Sequence, residues 1–139
     1  METKGWSKRL MEKSLNIMLV DNEAEFLDAI TYWLETKEHR VQVCYTGPEA
    51  IETVKKNPPD IIFLDIYMPD MDGLEVLKKI REFNPTIPVI IITGYPKEDK
   101  MQEALCMGAA GFFPKTINFE ELGRIIKAAV RTHKDLHHS

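Results

Sequence analysis

The chain has 139 residues, 44% of them hydrophobic and 29% charged, with a formal net charge of −4. That length suits one domain with a proper core, and the composition is that of an ordinary globular protein. No apolar stretch approaches the ~20 residues of a membrane span, and the acidic balance gives no global basic field for nucleic acid. A modest acidic excess gathered in a cleft would instead favour a cation.

Residues 1–13 are charged, lack the apolar centre of a secretory signal, and are read as a short leader whose one sizeable apolar residue is Trp6. Ile17 to Val20 is a short apolar run ending in Asp21-Asn22-Glu23, a first strand with carboxylates at its C-terminal end. Phe26, Leu27, Ile30, Trp33 and Leu34 then follow the one-face spacing of a helix. Arg40 to Tyr45 alternates apolar and polar residues, as a strand nearer an edge does. Thr46-Gly47-Pro48 opens a second helix, with Pro48 in the first turn, and Asn57-Pro58-Pro59 stops it.

Residues 60–65 form the central strand. Ile61-Ile62-Phe63-Leu64 is a continuous apolar run, suited to a strand buried on both faces, and it runs straight into Asp65. Aspartate is a poor strand former and is almost never buried unless paired. At the end of such a run it belongs at the C-terminal edge of the sheet, where open α/β sheets place their ligands. Pro69 cannot continue a central strand, and a third helix is expected from about Gly73 to Asn84-Pro85. Pro88 to Thr93 is a second buried strand. A fourth helix spans about Lys97 to Met107 and ends at Gly108. Ala109 to Phe113 is a short fifth strand leading to Pro114-Lys115, and a last helix starts at Asn118 as N-cap with Glu121 three residues on. Residues 132–139 read as a polar tail. The two cysteines, Cys44 and Cys106, are not closely spaced; they suit a reducing cytoplasm, as two small buried hydrophobes.

Strand and helix alternate five times, which predicts an α/β domain: a doubly wound parallel sheet with helices on both faces. Asp21, Asn22, Asp65, Thr93 and Lys115 all fall at C-terminal strand ends, so residues far apart in sequence converge on one edge. Carboxylates side by side repel unless a cation joins them. Oxygen ligands of this kind suit Mg²⁺, and a carboxylate can attack phosphorus to form an acyl phosphate. The transfer needs neutralisation of spreading negative charge, which Mg²⁺, Lys115 and the Thr93 hydroxyl can supply.

With those residues in order, the chain resembles the receiver domain of bacterial two-component response regulators over residues 14–131. The resemblance implies a flavodoxin-like (βα)₅ fold with strand order 2-1-3-4-5. It matches Asp65, within Asp65-…-Met68-Pro69-…-Gly73, to the phospho-accepting aspartate. It makes Asp21, Asn22, Asp65 and the backbone carbonyl of Tyr67 the Mg²⁺ site. Thr93 becomes the switch hydroxyl beside small Gly94, Lys115 the lysine that pairs with phosphoryl oxygens, and Phe112 the aromatic switch. It implies a histidine kinase or phosphotransfer protein as donor, and a signalling switch that catalyses its own phosphorylation and dephosphorylation rather than an enzyme acting on an outside substrate. The output or dimerisation face lies around 97–107 and 119–130, for a downstream target or a linked output domain. Tyr67 and Tyr95, each two residues past a reactive side chain, are expected to slow the attacking water.

Two positions depart from the family. Asn22 stands where a second acid is usual, removing one unit of charge that Asp21 or Glu23 would have to make good. Lys115 follows a proline and precedes Thr116, where the family commonly has a proline after the lysine. Two rival readings remain: a degenerate receiver acting as a constitutive interaction module, motivated by Asn22, and a flavodoxin-like nucleotide-binding protein. Asp21-Asn22-Glu23 stands where the latter would need a glycine-rich phosphate cradle.

Overall fold

Five strands and five helices alternate along the chain in a computed structural model that describes residues 14–138. The leader, with Trp6, lies outside the described residues. The elements are β1 (Asn16–Val20), α1 (Ala24–Thr36), β2 (Arg40–Cys44), α2 (Gly47–Lys56), β3 (Ile61–Leu64), α3 (Gly73–Phe83), β4 (Val89–Thr93), α4 (Glu98–Cys106), β5 (Gly111–Pro114) and α5 (Phe119–His138). All strand pairs are parallel, in the order β2-β1-β3-β4-β5. The expected architecture and strand order are both present.

The apolar runs become a sheet with two separate cores. Met18, Val20, Ile62, Leu64, Val89 and Ile91 pack under α2, α3 and α4, joined by Ala50, Val54, Leu77, Ile80 and Ala104. Their sequence neighbours Ile17, Leu19, Ile61, Phe63, Ile90 and Ile92 point the other way, against Leu27, Ile30 and Leu34 of α1 and Leu122 and Ile126 of α5. The period of two along a strand explains the split, and burial on both faces explains why the sequence shows unbroken apolar runs.

Local signals act as their chemistry requires. Thr46 caps α2 by accepting from the Glu49 N–H at 3.2 Å, and Asp72 caps α3 through the Leu74 N–H at 2.9 Å. Asn118 Oδ1 accepts from the Glu121 N–H at 2.8 Å at the start of α5. Gly108 closes α4 with φ 95°, a left-handed conformation that glycine adopts without penalty.

Several expectations shift. β3 ends at Leu64, leaving Asp65 as the first residue beyond it, although its N–H still donates to Val20 O at 3.0 Å. β5 runs Gly111–Pro114 rather than from Ala109. α5 continues to His138 through the stretch read as a tail, since nothing after Gly123 is a glycine or proline. Cys44 is buried as expected but Cys106 is exposed on α4. No helix among the described residues is long and apolar enough to cross a membrane.

Candidate functional site

The C-terminal strand ends bring Asp21, Asp65 and Lys115 together. Asp21 follows β1 and Asp65 follows β3, and the register that pairs Val20 with Leu64 sets them side by side. Both are buried, at 3% and 5% exposure, so their charges require partners. The partner is Lys115, whose Nζ lies 2.8 Å from Asp21 Oδ2 and 3.1 Å from Asp65 Oδ2. The same ammonium pairs with Glu23 Oε1 and sits 4.8 Å from the centre of the Phe26 ring. Lys115 is aimed by its backbone, since its N–H donates to Thr93 O at 2.8 Å and so extends the β4–β5 ladder. The described peptide bonds are all trans, and Pro114 is accommodated as the last residue of an edge strand.

The remaining carboxylate oxygens are tied to the turns. Asp21 Oδ1 accepts from the N–H groups of Asn22 and Glu23 at 2.7 and 2.9 Å. Asp65 Oδ1 accepts from the Tyr67 N–H at 3.0 Å. Thr93 is fully buried, and its Oγ1 accepts from the Tyr95 N–H at 3.2 Å. Each of Asp65 and Thr93 is therefore held by the main chain two residues on, the short Asx- and ST-turns these residue types favour.

Burial pushes the Asp65 carboxyl above its usual range; the Tyr67 N–H and Lys115 oppose that, and the charge of Asp21 adds to it. For Lys115, burial alone would lower the pKa, but its bonds to Asp21 and Glu23 and the charge of Asp65 outweigh it and carry the ammonium above its ordinary value. Lys115 is thus firmly cationic.

Of the residues singled out from sequence, Asn22 is exposed. Tyr67 meets the site through its N–H. Glu23, one of the two residues able to compensate for Asn22, is brought to Lys115 from 92 residues away in sequence. Gly94 does leave room: a Cβ there would meet only Lys115 Cδ, at 3.9 Å. Phe112 and Phe113 alternate faces, yet neither points into solvent. Both are half-buried, Phe112 against the α2–α3–α4 core and Phe113 against the α1–α5 core, because helices cover both faces even at this edge strand. The register pairs Ile91 with Phe112, so Thr93, two residues past Ile91, shares the Phe112 face. Beside the site, an open cleft of about 250 Å³ is lined by Ile66, Tyr67, Met68, Asp72 and Lys100.

Known proteins share both the sequence pattern and the fold. The transcriptional regulatory protein ZraR of Klebsiella oxytoca is 34% identical over 118 residues, which is 85% of this chain and 27% of that protein. The chain spans 27 to 54% of the length of the curated relatives it matches. Among solved structures, a CheY-like response regulator receiver domain protein from Methanospirillum hungatei JF-1 superposes with a TM-score of 0.84 at 26% identity, covering 88% of this chain and 98% of that one. The BeF₃-activated N-terminal receiver domain of Klebsiella pneumoniae RstA gives a TM-score of 0.79 at 25% identity, covering 84% and 98%. Residues 17–127 match the response regulator receiver domain, and the chain belongs to that family.

Proposed function

We propose that Asp65 is the phospho-acceptor of a two-component switch, charged by a histidine kinase or a phosphotransfer protein. The observation that carries this reading is the seating of Asp65: a buried carboxylate at a strand end, 3.1 Å from a lysine ammonium and beside a second acid. An Asp65 oxygen attacks phosphorus as the P–N bond to the donor's imidazole breaks. The bonding pair leaves with the imidazole nitrogen, and an acyl phosphate remains. Hydrolysis later adds water at phosphorus, restoring the carboxylate and releasing inorganic phosphate.

The donor set suits Mg²⁺: hard carboxylate oxygens of Asp21, Glu23 and Asp65 lie within 4.8 Å of one another and already converge on one cation, the Lys115 ammonium. Asp21 and Asp65 would hold the ion, with Asn22 and the Tyr67 carbonyl as further oxygen donors, and the ion would neutralise charge spreading over the phosphoryl oxygens. Lys115 supplies a fixed positive charge to the same oxygens. The Thr93 hydroxyl, whose acceptor side is occupied by the Tyr95 N–H, has its proton to donate to them.

Drawing Thr93 toward the phosphoryl group empties space on the face it shares with Phe112. Phe112 then moves inward, remodelling α4, β5 and α5 for a downstream target, a linked output domain or a second copy. RstA, a relative whose receiver domain is BeF₃-activated, supports a site of this class. Intact mass after incubation with acetyl phosphate tests the reading: a phosphoryl adduct that requires Mg²⁺ and is absent from Asp65→Asn supports it. No adduct over a wide Mg²⁺ range, with failure of a phosphohistidine donor as well, would leave a constitutive interaction module.

A further inference from the structure

We infer that Glu23, not Asn22, supplies the acidic charge missing at position 22, its carboxylate being shared between Lys115 and the divalent cation. This rests on the phospho-acceptor reading and names the residue that lets the site work despite its neutral amide.

The turn after β1 decides between the two side chains. Asp21 Oδ1 binds the N–H groups of both Asn22 and Glu23, which fixes the backbone at each. From that turn the Asn22 side chain is exposed, with no hydrogen bond to the described residues. The Glu23 carboxylate reaches the ammonium that also binds Asp21 and Asp65.

Charge gives a second, independent argument. Asp21 and Asp65 set against Lys115 leave one negative charge, too few for a divalent ion. Adding Glu23 leaves two, which matches it. Mobility gives a third. The Asp21 and Asp65 side chains are only 4% and 6% exposed, whereas that of Glu23 is 64% exposed. Two acids are therefore locked and one is free to turn from one cation to another, since an exposed ion pair holds its partner weakly. One carboxylate oxygen from each of Asp21, Glu23 and Asp65 already lies within 4.8 Å of the other two, so all three would be at hand for one ion.

Calorimetric titration with Mg²⁺ alone tests this on the full chain, using Glu23→Gln, Asn22→Ala and the double variant Glu23→Gln with Asn22→Asp. Glu23→Gln is expected to weaken Mg²⁺ binding about tenfold or more, Asn22→Ala, which removes a neutral donor and no charge, to weaken it clearly less, and Asn22→Asp to restore it in the Glu23→Gln background. Glu23 is exposed at the start of a helix, so thermal melts of all variants should coincide. Unchanged affinity in Glu23→Gln, or an equal loss in Asn22→Ala, overturns the inference. Mass spectrometry separates that failure from failure of the underlying reading. A Mg²⁺-dependent adduct on wild-type Asp65 with unchanged Mg²⁺ affinity in Glu23→Gln sinks only the role of Glu23. A wild-type chain that takes neither Mg²⁺ nor phosphoryl sinks both.

Discussion

The rings of Tyr67 and Tyr95 meet edge to face, with centroids 5.8 Å apart and planes at 88°. Their backbone N–H groups hold Asp65 Oδ1 and Thr93 Oγ1 respectively. The loops that follow β3 and β4 are thus bridged by aromatic contact, Tyr67 being 37% and Tyr95 71% exposed. If Asp65 carries the phosphoryl group as proposed, such a pair stands in the way of a water approaching phosphorus. Replacing both by serine should speed loss of the phosphoryl group about tenfold, equivalent to ~1.4 kcal/mol of barrier. The decay of the intact-mass adduct measures it, and an unchanged half-life would remove the tyrosines from the mechanism.

Gly73 sets the approach of α3 to the loop that carries Asp65. A Cβ there would lie 2.3 Å from Ile66 Cα and 2.4 Å from Asp65 O, both backbone atoms with little freedom to retreat. Gly73→Ala should therefore cost about 2 kcal/mol or more, as overpacking against backbone does, and displace Asp65. Chemical denaturation gives the first quantity, and the initial rate of phosphorylation reports the second.

His39 offers a pH-dependent contribution remote from the site. Burial lowers its pKa, and its Nδ1 accepts from the Leu15 N–H at 3.1 Å, which only an unprotonated Nδ1 can do. The unfolded chain, with its histidine near pKa 6.5, takes up the proton first as pH falls, so folding is favoured above that pH and weakens below it. The melting temperature should drop from about pH 6.5 downward, and His39→Asn should flatten that slope. A wild-type curve parallel to the variant's would reject the assignment.

Glu38 is the single non-glycine residue with positive φ, 67°, among the described residues. An L-residue there costs roughly 1–2 kcal/mol, part of which glycine recovers while losing more freedom on folding. Glu38→Gly should stabilise the domain by about 0.5–1 kcal/mol, read as a higher denaturation midpoint at constant slope. A lower midpoint would mean that the Ser14 hydroxyl's bond to Glu38 O depends on the native side chain.

The strand ends were legible because a buried apolar run interrupted by a carboxylate, a threonine or a lysine is a local contradiction, and each one marked the sheet edge. Asn118 was legible as a cap for a similar reason, its role being settled within three residues. Glu23 was only half legible. An exposed acid at the start of a helix has an ordinary explanation in the helix dipole, and its partner lies 92 residues away. The orientation of Phe112 and Phe113 was beyond local reading too. Alternation says that they face opposite ways, but helices covering both faces decide that neither is free.

Division of the interior by the sheet also shapes how such a chain can diversify. Adjacent residues such as Ile90 and Ile91, or Phe112 and Phe113, serve opposite compartments, so a volume change at one is absorbed on its own side. Distant sites with no shared neighbours combine additively. Lineages can therefore refit α1 and α5 to a new partner while leaving the packing beneath α4 as it was, and the reverse holds equally. Each side can be tuned by single substitutions, which opens the two compartments to separate, gradual change.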